Sequence, residues 1–552
     1  MFGIPGGAIE PLYNALARAH RAGGPHPIVA RHESGAAFMA DGYHRASGLP
    51  GVCCATTGPG ATNLITGVAS AYENRVPMLV LTAQTALSTF GRGAFQESSC
   101  TGVDTVHMFS GCTRYNSLVS HVDQLENKLV AALQAALGDP PGPAHLSLPP
   151  DILGAPAGPP RYRVADLLQR PRLVDPAGVA WLAREIGRAR HPVFVLGEGC
   201  LGAGATVATV AHRTGGHILT TPHGIGSIPT DTPGYAGVIG FAGHETAEAV
   251  LRDPDVDLVV AVGTGLSEWA SNAWDETFLN QRLVHVDTDT EHFRRSPMAR
   301  QHVRGDVATT FARVLSALPA HAPAPAARPA PIAADDAGPP APGGAPLTPQ
   351  AVLRYLAHDS PADAHLFADT GNAVAWAIHH FAPGVSPQPR FRLHTSLEFA
   401  SMGWAIGASV GAAFGDPTHA AICVTGDGAA LMAGQELTVA VQHGLPVVFI
   451  VLNDGALGMV KHGQRLTGAE RIAYELPPVD FARQAEAQGA NGIAVDTAED
   501  LQALDLVALC AGKRPTLIDA RIDPEQVPPM RTRVRTLRAA SCEPGSCMGK
   551  TR

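Results

Sequence analysis

Residues 421–428 read Ala-Ile-Cys-Val-Thr-Gly-Asp-Gly, and residues 447–456 read Val-Val-Phe-Ile-Val-Leu-Asn-Asp-Gly-Ala. Each begins as a short apolar run and ends in glycine and aspartate. A parallel strand buried on both faces has this form when turn residues bound it. Residues 435–443 between them carry a helical pattern, so the unit reads strand, helix, strand. Two adjacent parallel strands bring both loops to one sheet edge, where open α/β sheets bind ligands. Gly426 and Gly428 permit a tight turn and a close backbone approach. The N–H groups opening the next helix suit a phosphate. Asp427 and Asp454 are two hard oxygen donors suited to Mg2+.

The same alternation recurs along the chain. Apolar runs at 78–82, 193–196, 258–262 and 283–286 predict further buried strands, and 177–188 predicts a helix. A stretch rich in Ala and Pro, 318–346, cannot build a packed core and reads as a linker. A weaker seam lies at 149–160. The expected fold is α/β, with three doubly wound parallel-sheet domains at 1–150, 160–317 and 347–530, followed by a basic tail at 531–552. That tail, with Arg531, Arg533, Arg535 and Arg538, reads as a solvated extension or as a lid.

Composition narrows the function classes. The 552 residues carry a net charge of −9, which argues against a general nucleic-acid binder. Glycine (59) is abundant but has no G-X-Y period, which excludes collagen and fits many tight βα turns. No apolar run is long enough to span a membrane, and no signal-peptide pattern opens the chain, so a cytoplasmic protein is expected. The nine cysteines show no CxxC pair and no zinc spacing, and read as free, mostly buried thiols.

GDG followed, after residues 429–452, by Asn453-Asp454 resembles the thiamine diphosphate fingerprint, in which the second position is an asparagine pair. Gly458-Met459-Val460 resembles a further string of that family. The first block adds Phe2-Gly-Ile-Pro-Gly-Gly7, Arg31-His-Glu-Ser-Gly-Ala36, Thr57-Gly-Pro-Gly-Ala-Thr-Asn63 and Ala94-Phe-Gln-Glu97. In this order they resemble the acetohydroxyacid (acetolactate) synthase large subunit among thiamine-diphosphate-dependent enzymes. The resemblance covers about residues 2–150 and 347–530, and it implies a pyrimidine-binding, a middle Rossmann-like and a diphosphate-binding domain. Relatives carry a helix and a strand before the FGIPGG loop, so the first domain is expected to lack them.

By the same resemblance, Glu33 is the acid that shares a proton with the pyrimidine N1′ of thiamine diphosphate, with Pro59 and Asn63 lining that side. Phe95 and Gln96 match positions facing the substrate. Asp427, Asp454 and the Ala456 carbonyl would hold Mg2+, with Gly371, Asn372, Gly428 and Ala429 around the diphosphate. Gly458 and Met459 belong to the same cofactor site. Met402 would wedge between the cofactor rings, and Ala400 would offer its carbonyl to the 4′-amino group. The implied reaction decarboxylates a 2-oxo acid such as pyruvate and adds the hydroxyalkyl carbanion to a second 2-oxo acid or an aldehyde. A homodimer or dimer of dimers would complete each site from two subunits.

Three departures matter. Gly463 stands where the synthases carry a tryptophan, and Arg114 stands for a lysine near the substrate. Residues 265–272 replace an arginine-bearing motif of the middle domain, which counts against FAD although the glycine-rich loops 197–204 and 240–243 allow it. The runner-up activity is a decarboxylase or lyase that protonates the carbanion. A cofactor-binding regulatory paralogue is disfavoured by Glu33, Asp427 and Asp454, and a NAD-dependent dehydrogenase rests only on the weak glycine loops.

Overall fold

The computed structural model describes residues 1–168, 172–229, 231–319, 346–381 and 392–541. Its frame is three six-stranded sheets whose strand pairings are all parallel, each from its own stretch of chain. The first sheet runs, in spatial order, Ile28–Val29, Phe2–Gly3, Gly51–Ala55, Met78–Ala83, Pro143–Leu148 and Tyr115–Leu118. Phe2–Gly3 is only two residues long, yet it pairs on both sides. The second sheet centres on Leu258–Val262 beside Pro192–Leu196. The third runs Arg392–Thr395, His365–Ala368, Ala421–Gly426, Val448–Asn453, Thr516–Arg521 and Asn491–Val495.

The two strands that opened the sequence reading are neighbours, in register from Ile422 against Val448 to Gly426 against Leu452. The Ala421–Gly426 strand runs two residues past the apolar run, because its neighbour continues to take its backbone hydrogen bonds there. The helix expected at 435–443 is broken into a 3-10 turn, Gly434–Glu436, and a helix, Leu437–His443.

Two helices with small residues at their contact join the first and third blocks. Glu33–Ser47 and Trp404–Gly415 approach so closely that a Cβ on Gly411 would lie 1.9 Å from the Met39 carbonyl oxygen. A Cβ on Gly42 would meet the Ala408 carbonyl at the same distance. The buried Trp404 indole N–H donates to Asp41 at 3.1 Å, and Asp41 also accepts from Arg45.

The described part of the basic end, up to residue 541, packs against the rest of the chain. Arg531–Ser541 is a helix docked across two blocks. The Thr532 hydroxyl donates to Asn272 Oδ1 at 2.8 Å, Arg531 pairs with Glu245 at 2.6 Å, and Arg538 donates to the Leu466 carbonyl. Of the 318–346 linker, residues 320–345 lie outside the described residues, as do Cys542 and Cys547. Among the described cysteines Cys100 is exposed and the other six are buried, all as free thiols. Among the described residues no helix is long and apolar enough to cross a membrane.

Candidate active site

At the carboxyl edge of the third sheet, the Ala456 backbone N–H points to both Asp427 Oδ2 (3.2 Å) and Asp454 Oδ1 (3.3 Å). Two carboxylates therefore converge on one donor. Burial pushes the Asp427 carboxyl up, and Gly428 N–H partly offsets this by donating to it at 2.7 Å. Burial, and then the neighbouring Asp427 charge, push Asp454 up to about 7. A pair held this way gains most from a divalent cation, which removes the mutual repulsion.

Gly458 closes the cradle. A Cβ there would lie 2.3 Å from Asn372 Nδ2 and 2.6 Å from Asp454 Oδ2, so no other residue fits without displacing both. Asn372 Oδ1 is buried with no protein partner among the described residues, an orphaned polar atom on the side chain whose Nδ2 borders that space. Gly371, at φ +111°, makes the turn that opens the Asn372–His380 helix. Met402 reaches over Gly428, its Cε 3.4 Å from where a Cβ would be. Ala400, just before it, holds a left-handed φ of +58°, a strain that sites keep when the bend is needed. The residues present thus fit a metal-bound diphosphate.

Sequence reasoning passed over Asp369, the first residue of the Asp369-Thr-Gly-Asn turn. Fully buried, it accepts from Gly403 N–H (3.0 Å), the Thr425 hydroxyl (2.9 Å) and Thr370 N–H (2.8 Å). It ties together the loops carrying Asn372, Met402 and Asp427. The available signal was a lone acid at the end of an apolar strand.

The first block builds a second cluster. Glu33 is the first residue of its helix and is only 8% exposed. Asn63 Nδ2 donates to Glu33 Oε2 at 3.0 Å, from the short Pro59–Asn63 helix, and Gly60 leaves room beside Oε1. Gln96 packs over Gly58, and its carbonyl accepts from the Thr57 hydroxyl at 3.0 Å. Phe95, by contrast, is 87% exposed and does not join the cluster. Among the described residues no hydrogen bond links the Glu33 cluster to the Asp427 cluster.

A second residue missed in the sequence is Glu436. Its buried carboxylate accepts the backbone N–H groups of Arg31 and His32, which immediately precede Glu33. Burial is the largest influence and lifts its pKa to about 7, while those N–H groups work in the opposite direction. A carboxyl raised in the folded state stabilises the fold below its ordinary value near 4.5, and this contribution fades as the pH climbs through about 7. Glu436 alone is thus expected to cost about 3 kcal/mol between pH 4.5 and 7. Melting the wild type and Glu436→Gln across that window checks this, the variant lacking that part of the slope.

Three family descriptions match the chain: the N-terminal TPP binding domain of thiamine pyrophosphate enzymes over residues 1–108, the central domain over 179–317 and the C-terminal TPP binding domain over 369–520. The acetolactate synthase of Arthrospira platensis is 31% identical over 543 residues, 95% of this chain and 91% of that protein. This chain belongs to the thiamine pyrophosphate enzyme family. Among other relatives, the acetolactate synthase isozyme 1 large subunit of Escherichia coli is 29% identical over 95% of this chain and 91% of its own. A Pseudomonas aeruginosa protein named "Probable 2-ketoarginine decarboxylase AruI" is 32% identical over 94% of this chain and 91% of its own.

Within this thiamine pyrophosphate enzyme, a cavity of about 1810 Å³ lies between the first and middle blocks, lined by Tyr72, Arg75, Arg114, Glu198, Thr264 and Asp289 among others. Arg114 stacks on Tyr72 and bonds its hydroxyl at 3.1 Å. The loop glycines 197, 204 and 240 face the chain's own backbone, at 1.9 to 2.3 Å from an added Cβ. Among the described residues, Thr221 Oγ1, His223 Nε2 and Ser227 Oγ nearby are buried without protein partners.

Proposed function

We propose that this chain is a thiamine diphosphate- and Mg2+-dependent carboligase that decarboxylates a 2-oxo acid, pyruvate being the first candidate. It joins the resulting fragment to a second 2-oxo acid or an aldehyde. The observation that carries the reading is the convergence of Asp427 and Asp454 on Ala456 N–H beside the orphaned Asn372. When bound, thiamine diphosphate supplies the stabilised carbanion that cleavage of a 2-oxo acid requires. Asp427, Asp454 and the Ala456 carbonyl would hold Mg2+, and Gly371, Asn372, Gly428 and Ala429 the diphosphate. Gly458 keeps a side chain out of that space, with Met459 beside it. Met402 and Ala400 would fix the relative setting of the two rings, with Pro59 and Asn63 lining the pyrimidine. Glu33 holds a proton at the pyrimidine N1′, oriented by Asn63. Gln96 and Phe95 would border the substrate, Phe95 becoming covered only on assembly.

The Glu33 and Asp427 clusters would serve one cofactor across two copies of the chain, in a homodimer or a dimer of dimers. No step of this reading uses a flavin. Gly197, Gly204 and Gly240 are accounted for by internal packing, while Thr221, His223 and Ser227, whose buried polar atoms have no partner among the described residues, are the residues that would contact FAD. The buried free thiols agree with a cytoplasmic setting.

The runner-up, a non-ligating 2-oxo-acid decarboxylase or lyase, draws support from Gly463 in place of a tryptophan and from the relative named as a decarboxylase. Incubation with pyruvate, thiamine diphosphate and Mg2+, followed by mass spectrometry of the products, separates the two. An acetohydroxyacid or acyloin is expected. Aldehyde as the sole product in the presence of acceptors would replace the first reading with the second.

A further inference from the structure

The diphosphate loops follow the carboxyl ends of the third-sheet strands; a different cluster gathers at the amino ends. His365 begins the strand His365–Ala368, Asp416 caps the Trp404–Gly415 helix, and His419 lies just before the strand Ala421–Gly426. Parallel pairing of His365 with Ala421 sets the two strand starts side by side, next to the end of that helix. His365 Nε2 lies 3.1 Å and His419 Nδ1 2.8 Å from the same oxygen, Asp416 Oδ2. All three donor atoms fall within 4.8 Å of one another.

Those spacings can be set against metal geometry. Bonds of about 2.0–2.1 Å at tetrahedral angles separate neighbouring donors by roughly 3.3 Å. Two of the three edges are already close to that, and small side-chain rotations would adjust all three.

The surrounding contacts are those that orient ligands. His365 Nδ1 meets His394 Nε2 at 3.0 Å, and His394 is buried. When His365 Nδ1 carries the proton toward His394, its Nε2 lone pair faces Asp416. Thr418 occupies the other carboxylate oxygen, its hydroxyl donating to Oδ1 at 2.6 Å. These are outer contacts of the kind that fix tautomer and carboxylate orientation around a bound ion. The His419 side chain is 33% exposed, which leaves an open side for water. Arg392 reaches the same oxygen only at 3.9 Å, from a side chain 46% exposed, so it can withdraw.

We infer that His365, Asp416 and His419 form a three-ligand site for a borderline transition-metal ion, Zn2+ first, with water as the fourth ligand. Two imidazoles and one carboxylate select such an ion over Mg2+, which prefers oxygen donors. The ion would clip the start of one strand to the turn leading into the next, at the sheet edge away from Asp427 and Asp454.

The test uses the full chain, stripped of metal with a chelator and kept in excess Mg2+ to occupy the oxygen site. Zn2+ is titrated against a chromogenic competitor. One Zn2+ per chain is expected, with affinity lowered at least about tenfold in His419→Ala and in Asp416→Asn, and unchanged in Asp454→Asn. Co2+ in place of Zn2+ should give the visible bands of a tetrahedral site in the wild type and lose them in His419→Ala. Partial exposure of His419 makes that variant the one expected to fold, which its melting curve checks. Equal Zn2+ binding by the wild type and a folded His419→Ala, or no Zn2+ retained against the competitor, overturns the proposal.

Discussion

Glu33→Gln is expected to lower kcat by about a hundredfold or more while sparing the fold and cofactor binding. The side chain is nearly isosteric and still presents an oxygen to Asn63 Nδ2, so the hydrogen bond at 3.0 Å has a ready substitute. Its helix-start backbone is held independently, through Arg31 and His32 to Glu436. What glutamine lacks is a proton that can be shared with a ring nitrogen. Loss of one acidic charge at a helix start costs about 1 kcal/mol at most, too little to unfold a domain. Steady-state rates measure the first part. The rise in Tm on adding thiamine diphosphate and Mg2+ measures the second, since only a folded, binding-competent chain responds. An unchanged kcat would remove Glu33 from the chemistry. A lost Tm response would make it a binding or structural residue instead.

Gly411→Val should have the largest effect on stability, several kcal/mol or outright failure to fold. The added Cβ would meet backbone atoms of Met39 (carbonyl oxygen 1.9 Å, carbonyl carbon 2.6 Å), which cannot rotate away as a side chain could. The Glu33–Ser47 and Trp404–Gly415 helices would have to separate. That would pull the Trp404 indole from Asp41 and open a core that is otherwise closed to water. Overpacking of a well-filled core already costs about 1–3 kcal/mol where side chains can yield. A folded domain has only about 5–15 kcal/mol in reserve. Gly434→Ala is the matched control, because nothing lies within 4 Å of its added Cβ and its backbone is right-handed. Chemical denaturation of both variants checks the contrast. Equal stabilities would mean the two helices do not pack as closely as described.

Strands and their glycine-ended loops were legible because they depend on local order. An apolar run, a turn residue and a helical period all lie within a few residues, and the GDG and Asn-Asp loops are joined by one helix and one strand. The convergence of Asp427 and Asp454 followed from those features plus parallel pairing. Glu33 and Asn63 were legible only through the family motifs around them. Phe95 came from the same kind of match, and the fold leaves it 87% exposed, outside the Glu33 cluster. The docked Arg531–Ser541 helix escaped the sequence reading because its partners, Asn272, Glu245 and Leu466, are far away in the chain.

By itself, then, the sequence determined three parallel α/β units and a pair of glycine- and aspartate-bearing loops at one sheet edge, while Glu33 was reached only through the motifs around it. Tertiary structure alone decided which distant groups support them. Glu436 reaches the backbone ahead of Glu33 across about four hundred residues, and Asp369 gathers three loops. His365, Asp416 and His419 meet at the far sheet edge. The physical reason is range. Backbone preference and hydrophobic period act over a few residues, whereas buried carboxylates and imidazoles take whichever partners the packed sheets bring within 3 Å.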